Sequence, residues 1–267
     1  MHQVLVRGLR RLPAPVKKVL KRLPLLDAAA RRAYGAAGPR PVRVEPGGFL
    51  LHLDLRSPTQ RAYATSAPAE GYVARHLAEV LSPGDHVVDV GGYVGYFTML
   101  AAGIVGAGGS VTAFEPVPEN AASIRRSAAA NGFGHVQVEE VAVSDHEGRD
   151  PLWVDREEGG SASSTSSLAG GGSEQVEVPV TTLDRYVAER GLARVDLVKI
   201  DVEGLEEEVV RGMEAVMRDL RPELVVEFAG PEAAKACVAL LEARSYRTVE
   251  LGRTRHGIHV SATPAPR

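Results

Sequence analysis

With a single cysteine, Cys237, the chain has no route to an internal disulfide. The apolar run around it (Ala236, Val238, Ala239, Leu240) reads as a core thiol in a reducing compartment rather than a nucleophile. No secretory leader is expected, because Lys and Arg recur every few residues through the first 32 positions, so a cytoplasmic location is the expectation. Aromatics are scarce, at 5% of 267 residues, yet 44% hydrophobic and 24% charged residues suffice for a full globular core. One stretch lacks charge altogether: Val90 to Phe114 runs 25 residues, long enough to span a bilayer. Seven glycines, most of them near its two ends, suit a turn, a helix and a strand better.

Net positive charge is missing from the body of the chain. Residues 1–40 hold ten Lys and Arg against Asp27, a balance of +9, which leaves −12 for the rest of a chain whose net charge is −3. Phosphate contacts need clustered cations, so no nucleic-acid partner is expected. In the arm, Val16, Val19, Leu20 and Leu23 recur at helical spacing opposite Lys17, Lys18, Lys21 and Arg22, while Pro13, Pro15 and Pro24 break it into short pieces. It reads as an amphipathic cap or as a peripheral contact with an anionic surface.

Three regions are expected: the basic arm over 1–40, a β-hairpin and lead-in over 41–66 turning at Pro46-Gly47-Gly48, and one α/β domain over 67–267. The hairpin offers an edge for pairing across a homodimer. A helix over 69–81 precedes strands near 86–90, 110–114, 136–143, 195–201 and 223–228, with helices near 95–105, 118–131, 204–218 and 231–243 between and after them. This alternation predicts right-handed βαβ units on a parallel sheet. Gly159 to Ser173 (GGSASSTSSLAGGGS) reads as a mobile loop between two strands, either a linker or a lid. YRTVEL and HGIHVSA read as a closing strand pair.

The chemistry centres on VVDVGGYVGYF, residues 87–97. A phosphate-binding P-loop needs Lys-Ser/Thr after its last glycine, and Tyr96-Phe97 stands there. The dinucleotide fingerprint needs a glycine where Tyr93 stands, since a side chain obstructs a pyrophosphate. S-adenosylmethionine carries no phosphate. Gly91 and Gly95 are expected to let the backbone pass close to such a ligand, Asp89 to accept from an amide or the ammonium, and Glu115, ending the next strand, to grip the ribose hydroxyls.

The succession VVDVGGYVGYFT, FEPVPEN, AVSDHEG, VTTLDRY, VDLVKIDVEG and RPELVVEF resembles the FkbM family of S-adenosylmethionine-dependent methyltransferases, from about Glu70 to Phe228 and more loosely to Ala262. The resemblance implies an α/β class I (Rossmann-like) methyltransferase fold, a seven-stranded, mostly parallel sheet whose last strand is antiparallel, with helices on both faces. It implies S-adenosyl-L-methionine as cofactor, held by Asp89, Gly91, Gly92, Tyr93, Gly95, Glu115 and Pro116, with Asp201 near its methyl end. Ala142 and Val143, ending the third strand, border the adenine, and Glu70 stands ahead of the first helix. Gly92-Tyr93 replaces the family's common Ala-Asn, and Ala69-Glu70 its Tyr-Glu.

Loss of a hydroxyl proton calls for a base or a metal at the carboxyl ends of the strands. Asp201, Glu203 and Glu227 are the candidate catalytic residues. A divalent metal on these carboxylates is the alternative, not favoured because no histidine lies within the stretch. Lys199 is expected on the opposite side of its strand from Asp201. His52 and His259, on predicted strands, read as structural. The expected activity is O-methylation of a sugar, polyketide or other secondary metabolite, free or carrier-bound. The alternatives are N- or C-methylation on the same fold, or cofactor binding without turnover.

Overall fold

The computed structural model describes residues 38–44, 47–65, 71–157, 160–170, 172–254 and 257–266. The amphipathic segment of the arm, Pro46 of the expected hairpin turn and Glu70 lie outside the described residues.

The domain is built on a seven-stranded sheet: β3 (His86–Val90), β4 (Ser110–Phe114), β5 (Val136–Glu139), β9 (Leu197–Ile200), β10 (Glu223–Phe228), β11 (Tyr246–Arg253) and β12 (Ile258–Pro264), in the order β11-β12-β10-β9-β3-β4-β5. The pairs from β10 to β5 are parallel, whereas β12 runs antiparallel to both neighbours. This is the α/β class I arrangement, with the last strand in sequence as its antiparallel member. Nearly continuous apolar runs such as LVKI and ELVVEF form these strands because both faces are covered.

Strand alternation then sorts the side chains. Val87, Val111, Leu197 and Val225 face α2 (Gly71–Val80) and α3 (Tyr96–Val105), packing on Val73, Leu77, Ala101 and Val105. Val88, Val198, Ile200 and Val226 face the opposite layer, where α5 (Leu183–Arg190), α6 (Glu206–Arg211) and α7 (Pro231–Ala243) supply Leu183, Val209, Val210 and Leu241. Cys237 is buried in that layer, and burial pushes its thiol up to about 12, as a core thiol requires. The uncharged stretch 90–114 resolves into a bend, α3 and β4, and no described helix is long and apolar enough to cross a membrane.

The hairpin of β1 (Arg40–Arg43) and β2 (Leu50–Leu53) packs Leu51 and Leu53 against α4 (Pro118–Asn131). Leu50 N and His52 N donate to Asn131 Oδ1 and Ser127 Oγ at 2.8 Å each, so α4 occupies that strand edge. A helix not expected from sequence, α1 (Pro58–Thr65), follows it.

Three expected elements differ. The strand expected over 136–143 is two: β5 stays in the main sheet, while Ala142–Val143 (β6) joins β8 (Glu174–Thr181) and β7 (Gly148–Val154) in a separate three-stranded sheet. Ala142 and Val143 therefore do not end the third strand. The helix expected over 204–218 is broken: α6 covers Glu206–Arg211, the chain turns at Gly212, and a π-helical turn follows over Val216–Leu220; at Gly212 the backbone is pressed against the β6 turn, where a Cβ would meet Ser144 O at 1.9 Å. The strand expected over VEVPVTTL, after the serine-rich loop, ends at Thr181, and α5 follows at once from Thr182, whose Oγ1 caps the helix by accepting from Arg185 N at 3.1 Å.

Candidate active site

A cleft of about 600 Å³, partly open to solvent, lies outside the carboxyl ends of β3, β4 and β9. Val90, Gly91 and Tyr93 form one wall, Glu115 and Pro116 another, and Asp201 and Glu203 a third. Val117, Val141, Ala142, Val143 and Leu152 make an apolar slot, so Ala142 and Val143 reach the cleft from the small sheet. The serine-rich loop covers it, with Ser163, Ser164, Ser166, Ser167 and Leu168 on the lining.

That loop is fastened rather than merely long. Ser161 Oγ donates to Asp54 Oδ2 at 2.8 Å, and Glu157 accepts from the hydroxyls of Ser57 and Thr59 on the hairpin side. At its other end Ser167 Oγ donates to Glu203 O at 2.7 Å. The loop thus bridges the N-terminal hairpin segment and the β9 turn across the cleft.

The glycine bend works differently from its expectation. A Cβ on Gly91 would lie 1.8 Å from Asp201 O, and Cβ atoms on Gly92 and Gly95 would press on Ile124 at 2.9 and 3.2 Å. Only Gly91 of these three lines the cleft. The glycines let the bend pack against β9 and α4, and their backbone freedom (φ 82° at Gly91, 89° at Gly95) shapes the turn. Tyr93 adopts φ 48°, rare for a side-chain-bearing residue, and its backbone N donates to Glu115 Oε2 at 2.8 Å. Its ring lines the cleft beside the loop, and burial, with the Glu157 and Glu115 charges, pushes its phenol up.

Glu115 is 5% exposed, and its carboxyl also accepts from Val117 N at 3.0 Å and Asn120 Nδ2 at 3.4 Å. Burial pushes it up to about 7 despite those bonds. A buried carboxylate facing the cleft with lone pairs to spare suits a vicinal diol, whose hydroxyls supply the missing donors. The apolar slot beside it suits a flat heterocycle. These features fit S-adenosyl-L-methionine, with Glu115 toward the ribose and the slot toward the adenine.

Asp89 does not line the cleft. It is 2% exposed, accepts from Thr98 Oγ1 at 2.6 Å, and has Oδ1 3.6 Å from Lys199 Nζ. Lys199 also donates to Asp201 Oδ2 at 3.1 Å and lies over the Phe97 ring. The expectation that Lys199 and Asp201 point to opposite sides is corrected: residues two apart share a face of a strand. Burial works against the Lys199 charge, but Asp201 and Asp89 outweigh it and push its pKa up.

Glu203 adopts φ 54°, ahead of Gly204 at φ 105°, which turns the chain from β9 toward α6. Burial, reinforced by Asp201, Glu227 and Glu206, pushes it up to about 7. Glu206, missed in the sequence reading, folds back so that Gly204 N donates to its Oε1 at 2.7 Å; an acid two residues beyond a glycine, at a helix start, is the signal that could have shown it. Glu227 is off the cleft wall, one strand over on β10, with Oε2 2.9 Å from His259 Nε2. Among the described residues no group of three or more His, Cys, Asp or Glu is arranged to hold a metal ion.

The methyltransferase FkbM domain family matches residues 89–248. Among curated proteins the chain is similar to the 31-O-demethyl-FK506 methyltransferase FkbM of Streptomyces tacrolimicus, 32% identical over 206 residues, which are 66% of this chain and 77% of that protein. Among solved structures it is similar to the FkbM methyltransferase of Methylobacillus flagellatus (16% identity, TM-score 0.48, 76% of this chain and 52% of that one). It is also similar to an S-adenosylmethionine-dependent O-methyltransferase of Thermotoga maritima (14% identity, TM-score 0.48, 88% and 81%). The family match takes in the glycine bend, Glu115, the serine-rich loop and the Asp201–Glu203 turn together, and the chain belongs to the FkbM family of S-adenosylmethionine-dependent methyltransferases.

Proposed function

We propose that this methyltransferase acts on oxygen, transferring the methyl group to a hydroxyl of a small molecule, free or carrier-bound. The observation that carries this reading is the set of carboxyl groups at the ends of β9 and β10. Asp201 and Glu203 stand on the cleft wall and Glu227 beside them, with Glu203 pushed up to about 7 by burial and by its acidic neighbours. A hydroxyl, unlike a free amine, must lose a proton as it is methylated, and carboxylates at this end of the sheet are suited to take it. The 32% identical relative, whose name describes methylation at an oxygen, supports the same reading.

When bound, S-adenosyl-L-methionine supplies a methyl group on a sulfonium centre. The chain's own residues do the rest. Glu115 and the slot of Val117, Val141, Ala142 and Leu152 hold the adenosine end, and the serine-rich loop excludes water. Lys199 fixes Asp201 against the glycine bend. Holding the reactants in line supplies much of the acceleration, since orientation alone is worth up to about 7–11 kcal/mol.

The test is transfer of isotopically labelled methyl to a panel of sugars, macrolactones and other hydroxylated acceptors, with the product's methyl located by NMR. An O-methyl product supports the proposal, whereas methyl on nitrogen or carbon, or cofactor binding without turnover, refutes it. Glu203→Gln, binding cofactor with turnover lost, ties the chemistry to this end; undiminished turnover removes Glu203 from it.

A further inference from the structure

One buried polar group on the α2 side of the sheet has no part in the cofactor cleft. His259 on β12 is 1% exposed and stands opposite Glu227 in the β10–β12 register. Its Nδ1 lies 3.0 Å from the Tyr72 hydroxyl on α2, with the two rings edge-on at 5.3 Å. Its Nε2 lies 2.9 Å from Glu227 Oε2, within ion-pair distance but outside hydrogen-bond geometry.

The backbone is shaped around these side chains. A Cβ on Gly257 would come within 2.6 Å of Glu227 Oε1. A Cβ on Gly252, at the β11 bulge, would come within 3.0 Å of the Tyr72 ring. An apolar residue would fill the place of His259 without the cost of burying an imidazole, so stability alone does not account for it.

Strand order gives the group its place in the reaction. Adenosine contacts fall at β4 and the bend at β3, so the transfer end lies toward β9. In-line displacement brings the acceptor from the side away from sulfur, toward β10. Of the three carboxylates, Asp201 is committed to Lys199, and Glu203 faces the cofactor cleft. Glu227, off the cleft wall at the end of β10, is the one left without a cation.

We propose that Glu227 takes the acceptor's hydroxyl proton and that His259, fixed by Tyr72, is the positioning residue that orients it. The assignment rests on the O-methyltransferase reading above. In this assignment Tyr72 O–H donates to Nδ1 and the ring proton sits on Nε2, which faces Glu227 Oε2 at 2.9 Å. As the acceptor oxygen gains the methyl group its proton passes to Glu227, which later releases it to water. The other charged groups on this face are Lys199, Asp201 and Asp89, which pair among themselves, Glu203 at the β9 turn, and His76 with Glu223 at 2.6 Å, one turn along α2.

The first measurement is 15N NMR of the His259 ring in the full chain between pH 6 and 8. A neutral Nε2–H tautomer is expected, with Nδ1–H entering in Tyr72→Phe; an imidazolium or an Nδ1–H tautomer in wild type overturns the assignment. The second is turnover. His259→Leu should lower kcat at least tenfold with the acceptor KM and the cofactor Kd unchanged. His259→Gln, whose amide can donate, should recover most of that loss. Should the Leu variant fail to fold, Tyr72→Phe and His259→Gln carry the same test. A kcat that stays within threefold of wild type in folded Leu and Phe variants overturns the assignment. Absence of any O-methyl product beside an Nε2–H tautomer is instead the failure of the reading beneath it.

Discussion

Glu115→Gln tests the cofactor site with the least disturbance. Both Glu115 oxygens already accept from the protein, Oε1 from Val117 N at 3.0 Å and Asn120 Nδ2 at 3.4 Å and Oε2 from Tyr93 N at 2.8 Å, so Oε2 is the one that keeps a second lone pair for a ribose hydroxyl. Alanine would orphan both backbone donors, at about 1–3 kcal/mol each, and confuse folding with binding. Glutamine keeps the shape but turns an NH2 toward one donor and removes the charge. The loss is that of a charge-assisted bond, about 1.5–3 kcal/mol, or roughly a 12- to 140-fold rise in Kd. Calorimetric titration with S-adenosyl-L-methionine, checked by thermal melting, reads it. A second signature follows from the pKa of about 7. Ribose hydroxyls bind the ionised form, so wild-type affinity should fall as pH drops below about 7, approaching tenfold per unit, and the variant should lose that slope. A folded variant that binds within threefold of wild type, or keeps the slope, refutes the assignment of Glu115.

Glu115, Glu203 and Glu206 are each pushed up to about 7, so from about pH 4.5 to 7 the folded chain holds more protons than the unfolded one. Stability should therefore fall as pH rises through that window and level off above it; melting at pH 5.5 against 7.5 checks the sign, and Glu206→Gln should narrow the gap. Gly91→Ala would set a Cβ 1.8 Å from Asp201 O at φ 82°, so a loss above about 2 kcal/mol in denaturant melts is expected, and a near-neutral result would contradict the packing. Lys199→Met strands Asp89 and Asp201 without their cation and should cost about 3–5 kcal/mol, partly recovered by pairing it with Asp89→Asn. Ser161→Ala combined with Glu157→Gln unfastens the loop and should speed cofactor release in stopped-flow measurements; an unchanged off-rate would mean the loop does not gate the cleft.

The sheet was legible where pattern and punctuation agree. Strands 86–90, 110–114 and 223–228 and helices 118–131 and 231–243 fall where they were expected, since Pro118 and Pro231 open the two helices and Gly132 closes the first. Legibility failed where a tertiary contact decides. Nothing local divides 136–143, since the break depends on β6 pairing with β8 some 38 residues away. At Gly212, where the expected helix is broken, the backbone is pressed against Ser144 O, a contact between distant segments. In the site, Glu115, Gly91, Asp201 and Glu203 were found from strand ends and spacing, and all line the cleft. His259 reads as structural from the sequence, and the contacts that could give it more, the β10–β12 register and Tyr72, are not visible in a lone histidine on a strand.

The glycine bend and the KIDVEG turn, about 110 residues apart in sequence, form one mechanical unit. Asp201 N donates to Val90 O at 3.0 Å, and the bare Gly91 lets Asp201 O come in where a side chain would stand. Beneath them Lys199 reaches both Asp89, which opens the bend, and Asp201, which closes the strand. The carboxylate at the transfer end therefore cannot shift without shifting the loop against which the cofactor lies. Asp89 acts through this linkage: it holds Lys199, Lys199 holds Asp201, and the ammonium the sequence reading offered to Asp89 as a ligand is supplied by the protein itself. The acid in the Asp-x-Gly fingerprint is explained here by stiffness between two strands, which aligns cofactor and carboxylate before the acceptor arrives.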